Sequence, residues 1–347
     1  MIKTQLKNDI AEYVSVLENN SSIIRKLKNT TVLVTGATGQ IGSYLSKLLL
    51  ELSEKNQLNI SIIGTGRNRK KYMEVFEDYQ EYDISFIEWD IQEPLSEKYI
   101  EKLSNVNYVV DAASNANPDL YSRFPVETMK TNFLGLSNLF STLESATNKP
   151  EITFVSTGEI YGNITNDSTI KEEDYGYIDI LNVRSCYPVS KIATETLAIS
   201  YADEYGYSCK IARLSHIFGP IENTNRVVDY MLVSGVKGND IILNTSGKQK
   251  RSYTYVGDAC LAIIYISLFG ESSNAYNVSS DDVKSIYELG EIIAKYCSIS
   301  IKSLNQPETD LRERIILDNS KLKLLGWVPQ KKLSDGLIKS INIMRNF

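Results

Sequence analysis

The sequence predicts an α/β fold, a doubly wound parallel sheet with helices on both faces and a smaller C-terminal lid. Three observations carry this. Short β-rich runs alternate with helix-length segments up to Pro220. The first run opens into "TGATGQIG", with three glycines between a strand and a helix. After Pro220 the rhythm breaks into shorter mixed pieces, with turn signals at "SGKQKRS" and "SSDD".

In chain order, residues 1–29 read as an amphipathic helical extension at the domain edge. "TVLVTG" is a strand and 40–55 a helix; "NISIIGTG" is a strand followed by a helix at 68–80; "ISFIEWD" is the third strand. "VNYVVDAAS" precedes a long helix near 125–147, "EITFVSTG" precedes another near 187–205, and "CKIARLS" follows. Residues 30–220, with 251–280 returning to them, are expected to form the main domain, and 221–250 with 281–347 the lid. No fixed-period repeat or low-complexity tract interrupts this order.

Composition narrows the function. Among 347 residues, 42% are hydrophobic and 23% charged, ordinary globular values. A net charge of -6 argues against a nucleic-acid partner, whose phosphates would be repelled. Cys186, Cys209, Cys260 and Cys297 form no C-x-x-C pair, which fits a reducing compartment and a cytoplasmic protein. His216 is the sole histidine, so a His-rich metal site cannot be built and no metal is expected. The N-terminus lacks the apolar run of a signal peptide, and the run "CLAIIYISLF" is about half of what a bilayer requires, so no membrane is expected.

Gly36, Gly39 and Gly42 lie where the first strand turns into its helix. Without β-carbons the turn is tight and a pyrophosphate can approach the backbone at the positive helix end. The structural alternative is a plain strand–helix turn, but its place at the start of an alternating fold favours a Rossmann-type dinucleotide site. The second strand ends in "GRNRKK", with Arg67, Asn68, Arg69 and Lys70 and no acid. Guanidinium groups there suit a 2′-phosphate, so NADP(H) is expected over NAD. Asp90, ending the third strand, is either an adenine contact or a turn cap. At the other end, "YPVSK" sets Tyr187 and Lys191 four apart on one helical face. An ammonium nearby lowers a phenol's pKa and makes it a usable acid/base. "FVSTGEIYG" places Thr157 and Glu159 where a buried strand runs out, the position at which open α/β sheets bind ligands.

Together "TGATGQIG", "DAASNA", "STGEIYG", "YPVSK" and "RLSHIFGP" resemble the extended short-chain dehydrogenase/reductase family of nucleotide-sugar epimerases, dehydratases and reductases, over roughly residues 30–330. The resemblance implies Tyr187 as acid/base, Lys191 on the nicotinamide ribose, Thr157 on the sugar oxygen and Asn132 supporting the lysine. It implies cofactor contacts from Thr38, Gln40, Ile41, Ala112 and Ala113 beside the glycines. It also implies substrate contacts from Ser114, His216, Arg226, Arg251 and Arg312. A homodimer through the two long helices is implied as well.

Three departures from the family pattern stand out. Asp111 takes the place of a frequent histidine, and His216 that of a usual asparagine, where a buried, hydrogen-bonded histidine is the structural alternative. Gly158 replaces the aspartate of 4,6-dehydratases, so Glu159 is either a lone base or a structural carboxylate bonding loop amides. "VRSCY" resembles UDP-glucuronate decarboxylases. The reading expected first is an NADPH-dependent reductase of a nucleotide (dTDP-type) 4-keto-6-deoxyhexose. A 4-epimerase, 4,6-dehydratase or UDP-glucuronate decarboxylase is the alternative, and a non-catalytic cofactor sensor lies outside the enzyme class.

Overall fold

A strand whose side chains are apolar on both faces has no wet side, which is the condition of a parallel sheet covered by helices. Thr31–Thr35 (β1) meets it, with Val32, Leu33 and Val34 all buried. The computed structural model describes residues 2–144, 146, 148–164, 169–220, 226–307 and 314–345. The extension before β1 is broken into α1 (Ile2–Glu18) and α2 (Ser21–Leu27). The break comes at Asn20, whose side chain accepts from the amides of Ser22 and Ile23 and caps the second helix.

From β1 the chain alternates through α3 (Gln40–Asn56), β2 (Ser61–Gly66), α4 (Arg69–Val75), β3 (Ile84–Glu88), α5 (Ile100–Leu103) and β4 (Tyr108–Asp111). It continues through α6 (Pro118–Arg123), α7 (Pro125–Leu143), β5 (Glu151–Thr157), α8 (Cys186–Tyr205) and β6 (Ser208–Leu214). The helix expected over 68–80 stops at Val75, where Tyr72 and Phe76 turn inward, Tyr72 stacking on Phe86 at 4.3 Å. The helix expected near 125–147 ends at Leu143.

The later region supplies β7 (His216–Phe218), α9 (Val227–Lys237), β8 (Ile241–Thr245), β9 (Lys250–Tyr255), α10 (Val256–Phe269) and β10 (Asn274–Val278). After these come β11 (Val283–Ser285), α11 (Ile286–Cys297), β12 (Ile301–Gln306), β13 (Arg314–Ile315), α12 (Ser320–Lys323) and α13 (Leu333–Met344). Seven strands form one parallel sheet in the order β10-β6-β5-β4-β1-β2-β3, a Rossmann-like arrangement. The order reverses between β1 and β4, which opens a crevice at their carboxyl ends.

The apolar run of α10 is a core helix, buried from Val256 to Leu268. Among the described residues no helix is long and apolar enough to cross a membrane. The late strands form two small sheets, one of β7, β9, β11 and β13 and the other of β8 and β12.

Candidate active site

The carboxyl end of β1 is built for close approach. Gly36 has φ +63°, and a β-carbon on it would lie 2.9 Å from the Ala112 carbonyl oxygen and 2.9 Å from Ala113 Cα. A β-carbon on Gly42 would lie 2.4 Å from the Gly36 oxygen. The turn therefore nests against the end of β4, and Gly39 begins α3 with no side-chain cap. The first-turn amides of a helix have no partner within it, so this end suits an anion. Thr38, Gln40 and Ile41 lie on this turn, and the cradle fits a dinucleotide pyrophosphate.

The basic cluster after β2 is divided among different tasks. Arg67 Nη1 donates to Glu127 Oε1 at 2.9 Å. Asn68 caps α4, accepting from the Lys71 amide at 2.9 Å. Arg69 turns back to the Phe86 carbonyl at 3.2 Å. Asp90 accepts from the Gln92 amide at 3.2 Å and caps a turn.

Tyr187 and Lys191 project from the first turns of α8 beneath the end of β5, and both are buried. The phenol hydrogen-bonds Thr157, and its ring stacks on Tyr121 at 5.1 Å. Burial pushes Tyr187 well up and the charge of Glu159 adds to it, while Thr157, Arg184 and Arg226 oppose. Lys191 Nζ donates to the Val155 carbonyl at 2.8 Å. Burial brings that ammonium down to about 8, against the charges of Asp111 and Glu195. Asp111 is itself buried, accepts from Thr35, and is raised by desolvation.

Asn132 bridges Ser114 and Ser190 at 2.7 and 2.8 Å, so it braces the residue before Lys191 rather than the ammonium. Behind them Glu195 pairs with Arg213 at 2.8 Å and accepts from Ser156, which ties α8 to β5 and β6.

Among the described residues no loop amide donates to the Glu159 carboxylate. It pairs with Arg184 Nη2 at 2.8 Å, and the guanidinium lies 4.5 Å from the Tyr121 ring centroid. Arg184 and Tyr121 are absent from the expected site. Arg184 was legible only as part of "VRSCY", and Tyr121 carries no local signal because it arrives from α6, far from α8 in sequence.

The expected substrate residues disperse. Ser114 joins the Asn132 bridge. His216 is exposed at the start of β7, 5.6 Å from the Tyr253 ring, because β7 lies at a sheet edge; the buried histidine anticipated there is corrected. Arg226 bonds Gln40, Asp229 and the Ile217 carbonyl. Arg251 is buried with Nη1 on the Lys250 carbonyl at 2.9 Å. Arg312 lies outside the described residues.

Residues 32–279 match the model of the NAD dependent epimerase/dehydratase family. UDP-glucuronic acid decarboxylase 3 of Arabidopsis thaliana is 31% identical over 89% of this chain and 87% of its own. UDP-glucuronic acid decarboxylase 1 of Xenopus tropicalis is 28% identical over 90% and 72%. Among solved structures, UDP-glucose 4-epimerase of Thermotoga maritima with UDP-glucose superposes with TM-score 0.77 at 23% identity, covering 91% of this chain and 99% of that one. A dTDP-glucose 4,6-dehydratase of Streptomyces venezuelae with NAD bound gives 0.79 at 22%, covering 91% and 97%. These two likenesses speak to the fold.

Proposed function

The chain belongs to the NAD dependent epimerase/dehydratase family, an enzyme family of nucleotide-sugar chemistry, and from that premise we propose that it is a nucleotide-uronic acid decarboxylase working through oxidation at sugar C4. The observation that carries this reading is Arg184. Its guanidinium pairs with Glu159 at 2.8 Å and covers Tyr121, whose ring stacks on Tyr187 at 5.1 Å. A sugar whose O4 meets Tyr187 and Thr157 brings its C6 group toward that cation, and a carboxylate is the C6 group a guanidinium takes in a two-point grip. Glu159 partly neutralises Arg184, so the carboxylate is oriented without being strongly stabilised against loss.

Thr157, Arg184 and Arg226 oppose the burial of Tyr187, and in the bound state they must bring its phenol down for it to take the O4 proton and return it, while Thr157 donates to the same oxygen. When bound, the dinucleotide supplies reversible two-electron oxidation of the C4 carbinol. A C4 ketone stands β to the C6 carboxylate, so carbon dioxide leaves with its bonding electrons passing toward the C4 oxygen held by Tyr187 and Thr157, and C5 then takes a proton. A dehydratase would need an acid for the C6 hydroxyl. Gly158 has none, and a β-carbon there would lie 3.0 Å from Leu317.

Arg67 and the lack of any carboxylate over residues 64–72 support NADP(H) as the cofactor. The same observation favours a second reading, the 4-keto sugar reductase. Residues 30–220 with 251–280 are proposed to carry the cofactor, and 221–250 with 281–347 the nucleotide-sugar. The unpaired Cys186, Cys209, Cys260 and Cys297 support a reducing, cytoplasmic setting. Mass spectrometry of UDP-glucuronic acid after incubation tests the reading: loss of carbon dioxide without net cofactor consumption supports decarboxylation. Stoichiometric NADPH loss on a 4-keto sugar, with the uronic acid untouched, would replace it by the reductase.

A further inference from the structure

We propose that Arg226 is a strut between the pyrophosphate turn and the lid helix α9, and that it retains the dinucleotide from the lid side. The inference rests on the dinucleotide-binding half of the proposed function and on neither the sugar nor the reaction. Arg226 stands at the N-cap of α9, yet its guanidinium reaches across to the first residue of α3, with Nη2 on Gln40 Oε1 at 2.6 Å. Nε donates to Asp229 Oδ2 at 2.8 Å and Nη1 to the Ile217 carbonyl at 3.0 Å. One guanidinium thus joins the glycine turn, the middle of β7 and α9.

The strut is held stiffly. Asp229 is buried, so its carboxylate has no solvent alternative to Arg226. On the other side, a β-carbon on Gly219 would lie 3.3 Å from Gln40 Nε2, so the Gln40 amide packs against the strand that follows β6. A guanidinium has five N–H donors, and among the described residues three have acceptors, which leaves one on each terminal nitrogen for a further acceptor. The α3 N-terminus is where a pyrophosphate gathers amide donors, and a charge-assisted fork beside it adds both attraction and orientation. Burial raises the Tyr187 phenol, and Arg226 is among the charges that oppose the rise, which puts its charge within reach of both the turn and the catalytic end. Arg226, expected from the sequence among the sugar contacts, is thereby reassigned to holding the cofactor.

Calorimetric titration with NADPH, NADH, ADP and AMP tests this. In Arg226→Ala the dinucleotides and ADP should bind about tenfold more weakly or worse, while AMP, which lacks the pyrophosphate, stays within about twofold. Arg226→Lys should fall between, because charge remains but the fork is lost. Gln40→Ala should weaken the same ligands, and the double variant should lose less than the sum of the two singles. Dinucleotide affinities unchanged in both single variants would overturn the strut. So would an equal loss for AMP, which would mean a disturbed fold. A wild-type protein that binds no dinucleotide would overturn the cofactor reading itself.

Discussion

In the proposed reaction Arg184 and Glu159 share the residue-scale chemistry with Tyr187. Arg184→Met should raise KM for a nucleotide-uronic acid on the order of tenfold to a hundredfold, measured against an uncharged nucleotide-hexose whose binding barely changes. Glu159→Gln should cost about tenfold or less, since it disturbs the pose of Arg184 and removes no proton carrier. Tyr187→Phe should cost on the order of a hundredfold to ten-thousandfold in kcat. Lys191 sets a pH limit. Burial lowers its ammonium to about 8, so the charge is present below that pH and lost above it. Dinucleotide affinity should therefore fall as pH rises through about 8 in the wild type, and Lys191→Met should abolish that dependence. Tyr187, Lys191 and Thr157 were legible because each is fixed by a short local pattern at the end of a strand or the start of a helix. The partner of each charge was not. Val155 accepts from Lys191, Arg184 holds the Glu159 carboxylate, and Tyr121 covers the phenol, all set by which elements the fold brings together.

At the scale of elements, α1 is part of the core. Tyr44 and Tyr255 both donate to buried Asp9 at 2.7 Å, and Tyr13 donates to Asp258 of α10 at 3.0 Å. A β-carbon on Gly257 would lie 2.2 Å from the Tyr13 ring, so α10 carries glycine where α1 crosses it. Tyr13→Ala should destabilise the fold by about 3 kcal/mol or more, read by denaturant titration. Burial raises Asp258 to about 6 from an ordinary 3.8, against the Gln330 and Lys331 amides that hold it. The sign follows: a raised folded-state pKa stabilises below the unfolded value, and that contribution is lost as pH rises through about 6. The stability of the wild type relative to Asp258→Asn should therefore decline from about pH 4 to about pH 6, in paired thermal melts, and level off above. The helical character of 1–29 was legible in its periodicity, but its anchoring was not, because the partners of Asp9 come from α3 and the end of β9. On the outer face, Val126, Met129 and Phe133 of α7 form one exposed apolar stripe, with Ile192 exposed on α8. We propose that this stripe pairs two copies, and sedimentation of Phe133→Glu should give monomer where the wild type gives dimer.

For the whole molecule, the switch in strand order between β1 and β4 gathers the glycine turn, Thr157 and Tyr187 at one end of one sheet. That arrangement was legible from strand–helix alternation alone, because each parallel crossover leaves strand ends on the same side. The small sheets of the lid were not, since their strands are short and pair with segments far away in sequence, as β9 does with β7, β11 and β13. On the proposed reading C4 is oxidised at this sheet end and the reaction is decided by what meets C6, which we propose is Arg184 beside Glu159. The most direct measurement is incubation with UDP-glucuronic acid labelled at the C6 carboxylate, in deuterated water, with substoichiometric dinucleotide. Release of the label as carbon dioxide, equimolar with a UDP-pentose carrying one solvent deuteron at C5, is the predicted result. Label retained on the sugar, whether as unchanged substrate or as a C4 epimer, would contradict the account.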